Sequence, residues 1–436
     1  MIPQSSFMIL APLDRSRIGA MRQLLATMNS EPGVANPDNA MVPFSRFESL
    51  HFARLLVLDD LTTRDIEALY GIRRPEPPVY FAFLGDFDGS YDAFLRLLVK
   101  HAEPGLRRIF SLCDGFSPDT DLYSWMVTHE RRPEAYYFNW VRRTVRQTRE
   151  EEQLRRRLLE FVEKSPGLAD RTPREIHQAL HGFAEKERAA GRLHLTPPAA
   201  TPLAWSVQHV FDWVLLILVI IAGVVTLPLT VIPLLLLAWR LRHLENSDPE
   251  FDPRPSEQQA ALLAAIEDYG VTNQFSVMGA LKPGWLRAGI VVLVLWIVDL
   301  TARTLYTRGR LARIHTIHCA RWVVLDHRTR MFFASNYDGS LESYMDDFIN
   351  KVAFGLNVVF SNGVCYPHTD WLLLKGAKNE QLFKYCLRRH ELPTDVWYNA
   401  HAGLTAFDLD RNSRIRQGLE MPSLSEQQAS EWVALL

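Results

Sequence analysis

The sequence predicts an α+β protein in which one βαββαβ lobe is repeated in tandem. The two lobes pair their sheets into a pseudo-twofold barrel or sandwich that carries an apolar, membrane-associating helical insertion. Three observations predict this. His51-Phe-Ala-Arg54 leading to Val57-Leu-Asp59 recurs as His318-Cys-Ala-Arg321 leading to Val324-Leu-Asp326. Asp88-Gly89-Ser90 and Gly105-Leu106 recur as Asp338-Gly339-Ser340 and Gly355-Leu356 at one offset, 338 − 88 = 355 − 105 = 250, a register that chance similarity rarely keeps. Between the copies, residues 213–239 contain no charged side chain.

In the first copy, a β-rich run predicts strand 7–13, and the spacing of Met21, Leu24, Leu25 and Met28 predicts helix 16–28. Strands 50–59 and 79–85, helix 91–102 and strand 106–113 complete the ferredoxin-like order βαββαβ. The second copy matches with strand 274–281, helix 285–305, strands 318–326 and 331–334, helix 341–353 and strand 356–362. Each copy also carries a tail, because Pro133…Asn139 parallels Pro393…Asn399 (393 − 133 = 260). Between the copies lie a charge-laced helix over 150–164 and a second helix opened by Thr172-Pro-Arg-Glu175, an N-cap with an N1 proline and an N3 glutamate. Proline-rich linkers over 195–203 and 248–256 bracket the apolar stretch. The chain therefore divides into lobe 1 with its helical tail (1–165), linker and insertion (166–267), and lobe 2 with its tail (268–436).

A chain of 436 residues exceeds a single core, and the duplication selects two lobes. Lys+Arg 48 against Asp+Glu 50 leaves a net charge of −2, so no global field recruits nucleic acid. Cys113, Cys319, Cys365 and Cys386 form no C-x-x-C pair, and the first residues lack the basic region and apolar core of a signal peptide. Free thiols in a reducing compartment are expected.

An uncharged stretch as long as 213–239 is enough to cross a bilayer core of about 30 Å. Gly223, Pro228 and Pro233 interrupt it, and Trp213 and Trp239 stand where interfacial aromatics stand. If the lobes pack together, strand 274–281 and the second apolar segment, 288–298 with Trp285 and Trp296, must lie on the same side as lobe 1. Arg240 and Arg242 follow the first segment, and Arg303, Arg308, Arg310 and Arg313 follow the second; two consecutive crossings would put these flanks on opposite faces. The expectation is a re-entrant hairpin plus a shallowly inserted helix, with both lobes on the cytoplasmic face and Trp213, Trp239, Arg240, Arg242, Trp285 and Trp296 at the membrane. Two true spans with separated lobes are the alternative.

Gly85-Asp-Phe-Asp88-Gly89 and its partner Ser335-Asn-Tyr-Asp338-Gly339 are the sharpest small motif. An Asp-Gly-Ser between strand and helix is what a tight turn and an N-cap require. In its two-lobe plan and this GxxDG motif the chain resembles the dye-decolorising peroxidases. The resemblance implies a bound haem, an aspartate that shuttles a proton during peroxide cleavage, and a histidine on the iron. Asp88 matches the motif, Asp338 lacks its leading glycine, and Arg321 joins them as a catalytic candidate. His401, followed by Arg411-Asn412-Ser-Arg414, and His368 are the candidate haem ligands, with His390 also available; none has a histidine counterpart in the first copy.

His51 and His318, at matching strand positions, read as packing or hydrogen-bonded turns, with Arg54 and Arg321 facing the other side of their strands. His315 and His318 cannot chelate together from a strand. His177 and His181, one helical turn apart, read as a solvated face. No P-loop, dinucleotide fingerprint, zincin or G-x-S-x-G motif occurs. The leading expectation is a membrane-associated, haem peroxidase-like oxidoreductase acting on a lipid or another hydrophobic small molecule. Its rival is a non-catalytic membrane module that binds lipid or protein. A cofactor-free monooxygenase on the same barrel plan is a third reading, by fold analogy.

Overall fold

The computed structural model describes residues 3–60, 62–421 and 423–436; Met1 and Ile2, at the start of the segment weighed above against a signal peptide, lie outside them. The first half runs β1 (Gln4–Leu13), α1 (Ile18–Ala26), β2 (Asn29–Glu31), β3 (Val34–Ala35), β4 (Leu50–Leu58), α2 (Asp65–Tyr70), β5 (Val79–Asp88), α3 (Tyr91–Phe110), α4 (Leu122–Thr128) and β6 (Ala135–Phe138). Helices α5 (Val145–Glu163), α6 (Pro173–Ala189), α7 (Leu203–Ser247) and α8 (Glu257–Ala264) follow. The second half runs β7 (Thr272–Ala280), α9 (Trp285–Thr304), β8 (Ile317–Leu325), β9 (Arg330–Asp338), α10 (Leu341–Phe360), β10 (Thr369–Asp370), β11 (Leu374–Lys375), α11 (Glu380–His390), β12 (Val396–Asn399), α12 (Ala406–Glu420) and α13 (Glu426–Val433).

The architecture is mixed α+β with open sheets. One sheet has the order β1-β5-β4-β12-β3-β2 and the other β6-β8-β9-β7. Three long antiparallel strands in each follow the same pattern, β1-β5-β4 and β7-β9-β8. The short outer strands are exchanged. β6, from the tail of the first copy, pairs with β8, and β12, from the tail of the second, pairs with β4.

Two sequence expectations fail here. Residues 106–113 and 356–362 are not strands, because α3 continues to Phe110 and α10 to Phe360. Leu98, Ala102, Leu106 and Ile109 recur at helical spacing on the buried side of α3, and this stripe outweighs the β-rich composition of the run. The fourth strand of each sheet comes instead from a tail.

The long strands alternate between two apolar environments. Phe7, Ile9, Ala53, Leu55, Phe81 and Phe83 face the helices of the first sheet, and Phe275, Val277, Trp322, Val324 and Phe333 face those of the second. The opposite faces meet in one shared cluster, with Met8, Leu56, Leu58, Ala82 and Leu84 against Met278, Val323, Leu325, Phe332 and Ala334. Strands buried on both sides read as nearly continuous apolar runs.

Two arginines cross this interface. Arg54 Nη1 donates to Phe275 O (2.8 Å) and Ser276 Oγ (2.7 Å), and its Nη2 donates to Ser335 O (2.8 Å) and to Asn336 Oδ1. Arg321 Nη1 donates to Phe7 O (2.8 Å), and its Nη2 to Gly85 O (3.2 Å) and the Asp86 carboxylate. Burial pushes Arg54 down to about 10.

The helical tails close the body. α5 packs on α12, and α6 with α13 completes a cluster around Leu154, Leu180, Ile415 and Trp432. The Thr172–Glu175 capping box forms as expected. His177 is not on a solvated face: it is buried, its Nε2 2.9 Å from Gly418 O, beneath Trp432. All four cysteines are free and buried.

Candidate functional site

The Asp-Gly-Ser turns behave as the turn reading expects. Gly89 and Gly339 have φ of 99° and 83°, a region that favours glycine, and Ser90 and Ser340 cap α3 and α10. The aspartates do something further. Asp88 accepts from Gln4 Nε2 (3.0 Å), His51 Nε2 (2.8 Å) and the first amide of α5, Val145 N (2.9 Å). Asp338 accepts from Thr272 Oγ1 (3.0 Å), His318 Nε2 (2.6 Å) and the first amide of α12, Ala406 N (2.7 Å). Each carboxylate thus anchors the positive end of a tail helix and orients one buried histidine.

Both histidines sit on β-bulges. The pairing of β4 with β5 shifts between Leu50 and Phe52, and that of β8 with β9 between Ile317 and Cys319, so His51 and His318 are the extra residues. A bulge re-aims a side chain, which lets each imidazole reach the aspartate at the end of the neighbouring strand.

The two halves then diverge. His51 Nδ1 lies 2.9 Å from Nε2 of His401, which follows β12. A carboxylate takes only donors, so His51 presents Nε2–H to Asp88. In the neutral ring Nδ1 then accepts from His401 Nε2–H, and His401 Nδ1 is left as a bare acceptor. That atom has no hydrogen-bond partner among the described residues. Burial, followed by the repulsion that His51 and His318 exert when protonated, holds His401 well below the usual histidine range. Arg143 Nη1 and Nη2, just before α5, Glu151 Oε2 in α5 and Asn412 Oδ1 in α12 are further buried polar atoms without a hydrogen-bond partner among the described residues. This arrangement can store or relay a proton along Asp88–His51–His401.

It does not fit a haem bracketed by Asp88 and His401. Those groups would have to stand on opposite faces of the macrocycle, whereas here a single imidazole, that of His51, joins them. Phe138 and Phe52 pack edge-on against the histidines, with centroids 5.1 Å from His51 and 5.9 Å from His401. Arg321 is consumed by the sheet interface. His368 lies elsewhere, with an unpartnered Nε2, lining a cavity of about 900 Å³ with Leu69, Tyr70, Phe251, Tyr366 and Lys378. Neither Asp88 nor Asp338 lines that cavity.

Asp65, Cys365 and His390 bring ligand atoms within 4.8 Å of one another. Arg389 already holds both Asp65 oxygens at 2.7 and 2.8 Å, and His390 Nδ1 is 2.8 Å from Cys386 O, so a cation there would face a guanidinium.

The apolar insertion is one continuous helix rather than a hairpin with a turn. Its ends are nonetheless both docked on the body. Asp212 pairs with Arg303 at the end of α9; Arg242 pairs with Asp370 (2.6 Å); and Asp248, just past α7, binds Lys282 (2.9 Å) and Arg287 (2.8 Å) at the other end of α9. From 212 to 248 are 36 residues, ~54 Å of straight helix. From 287 to 303 along α9 are 16 residues, ~24 Å, to which the bridging side chains add roughly 10 Å at each end. The helix therefore bows away from the body, and Pro228 and Pro233, which cannot donate to the preceding turn, lie in the bowed part.

Every large apolar side chain from Ile217 to Leu237 on that bow is exposed. α9 buries Val291, Leu295 and Ala302 against the second sheet and turns Trp285, Leu293, Trp296 and Ile297 outward. Trp213, Trp239 and Arg240 are exposed, whereas Arg242 is engaged in docking α7. Comparisons with protein-family models, curated proteins and solved structures found no match to this chain.

Proposed function

We propose that this protein is a membrane-anchored, non-catalytic binding module. Two ferredoxin-like lobes, paired about a pseudo-twofold axis, rest on the cytoplasmic leaflet through the bow of α7 and the outer face of α9. The carrying observation is the uncovered apolar bow, since water would not tolerate so many contiguous exposed Ile, Leu and Val side chains. One-sided insertion is favoured over a crossing because both ends of α7 return to the body and both ends of α9 return to the same sheet. The duplicated-lobe reading draws support from the constant offset, the shared strand order and the reciprocal arginines. The cavity beside the segment that leaves α7 combines apolar Leu69, Tyr70, Phe251, Tyr366 and Leu382 with charged Asp248, Glu250, Asp252, Lys282, Lys375 and Lys378, which suits a lipid-derived ligand with an apolar body and a charged headgroup.

The test is membrane partition with topology. The chain is expected to stay in the membrane after alkaline carbonate washing. Cysteines introduced at Val207 and Leu262, exposed on either side of the bow, are expected to be labelled from the same face of sealed vesicles. A detergent-free monodisperse protein would overturn membrane anchoring, and labelling from opposite faces would overturn one-sided insertion.

The peroxidase-like reading keeps one supporting observation, the bare Nδ1 of His401. A haem spectrum decides between the two readings.

A further inference from the structure

A second set of uncovered apolar side chains stands beside the C-terminal end of α7. The hairpin of β10 and β11 exposes Trp371 (48%), Leu373 (49%) and Leu374 (56%). Phe354 of α10, 61% exposed, lies one turn before Asn357, whose Nδ2 donates to Leu373 O (3.0 Å) and Lys375 O (3.1 Å).

The tip is held out by design of the backbone. Trp371 and Leu372 both adopt left-handed φ, 59° and 58°, a conformation that bulky side chains avoid unless the surroundings impose it. Glu245, in the last turn of α7 and itself buried, imposes it. Its carboxylate accepts from Thr369 Oγ1, Trp371 N and Leu372 N, each at 2.8 Å, so two successive amides form a nest around the anion. Arg242, one turn earlier, donates to Thr369 O (3.1 Å) and pairs with Asp370. The polar base of the hairpin is thus fully engaged with α7 while its apolar tip is left uncovered.

We propose that the Thr369–Lys375 hairpin is a wedge that inserts into the headgroup–acyl boundary of an anionic membrane, in the same leaflet as the bow of α7. This rests on the membrane reading above. Two features favour a bilayer as the occupant. The wedge is continuous with the uncovered part of α7 through Glu245 and Arg242. Basic side chains accompany it: Arg240 is exposed near the end of α7, Lys378 is exposed just after the hairpin, and Arg242 and Lys375 pair with Asp370 at its base, which suits anionic headgroups. Trp371 belongs to the residue type enriched at that depth.

The test uses the full chain in mixed phosphatidylcholine–phosphatidylserine vesicles. An environment-sensitive dye is placed on Leu373→Cys, Leu229→Cys or Val127→Cys; the native cysteines are all buried. Lipids spin-labelled near the headgroup are expected to quench the dye at 373 several-fold more than at 127, which lies on α4. If 373 behaves like 127 while 229 is quenched by lipids spin-labelled in the chain, the wedge is refuted and the α7 reading stands. If neither 229 nor 373 is quenched, both fall. Glu245→Gln is expected to lower quenching at 373 and to leave 229 unchanged.

Discussion

Arg54 and Arg321 cross the interface between the two sheets in opposite directions, each satisfied by the opposite sheet, but only Arg321 meets a charge. Its partner is the Asp86 carboxylate, whereas the equivalent partner of Arg54 is the Asn336 amide. Asp86 also accepts from Tyr136 Oη (3.1 Å) and Cys319 Sγ (3.2 Å), so the carboxylate is embedded in the seam. The cross-tie is present in both directions, and the charge in only one.

Removing Arg321 should therefore cost more than removing Arg54. Arg321→Met leaves a buried carboxylate without its cation, an expected loss of about 3–5 kcal/mol. Arg54→Met leaves neutral acceptors unpaired, about 1–3 kcal/mol. Denaturant unfolding of the two variants in detergent checks the order; equal losses would mean that the charge of Asp86 is immaterial.

The paired glycines 105 and 355 should respond oppositely to alanine. A Cβ on Gly105 would meet Met41 O at 2.0 Å, whereas nothing lies within 4 Å of one on Gly355. Gly105→Ala is expected to destabilise by about 1–3 kcal/mol, and Gly355→Ala, inside α10, to stabilise by about 0.5–1 kcal/mol. Thermal unfolding midpoints moving in opposite directions would bear this out.

His401 should make the fold acid-sensitive. Its folded form resists protonation, so below about pH 6.5 the unfolded chain binds a proton that the folded one does not, and stability falls as pH falls. Asp395, raised to about 6 by burial, has the opposite sign, because its folded form retains a proton that the unfolded chain releases; its contribution is lost as pH rises from about 4 through about 6. The difference between wild type and His401→Asn isolates the histidine. That difference in unfolding free energy should shift against the wild type between pH 7 and pH 5, and a pH-independent difference would count against a neutral buried His401.

Haem should not bind at Asp88 and His401. Protein purified after expression with ample haem is expected to show no near-stoichiometric Soret band. A band that is present and disappears in His401→Ala or His368→Ala would replace the binding-module reading with the peroxidase-like one.

Much of the architecture was legible in the residues. The offset of 250 between Asp88 and Asp338, the glycine that each following turn needs, and the serine caps all follow from local rules. The uncharged apolar run was legible, whereas its folding as one continuous helix and not as a hairpin was not. Other features were not. Tyr136-Tyr137-Phe138 and Trp397-Tyr398-Asn399 look like tails, and their pairing with the opposite sheets depends on partners more than 150 residues away. The bulges at His51 and His318 are visible only once strand register is known, and with them the convergence of His51 on His401.

The sequence by itself determined the repeated local devices and the apolar segment, because turn chemistry, caps and hydrophobic periodicity act over a few residues. Only the tertiary structure decided which strands were exchanged, where the two arginines ended and that the Asp88 carboxylate ties down the first amide of α5. Those outcomes depend on long-range pairing and on satisfying buried polar groups, which neighbours in sequence do not specify.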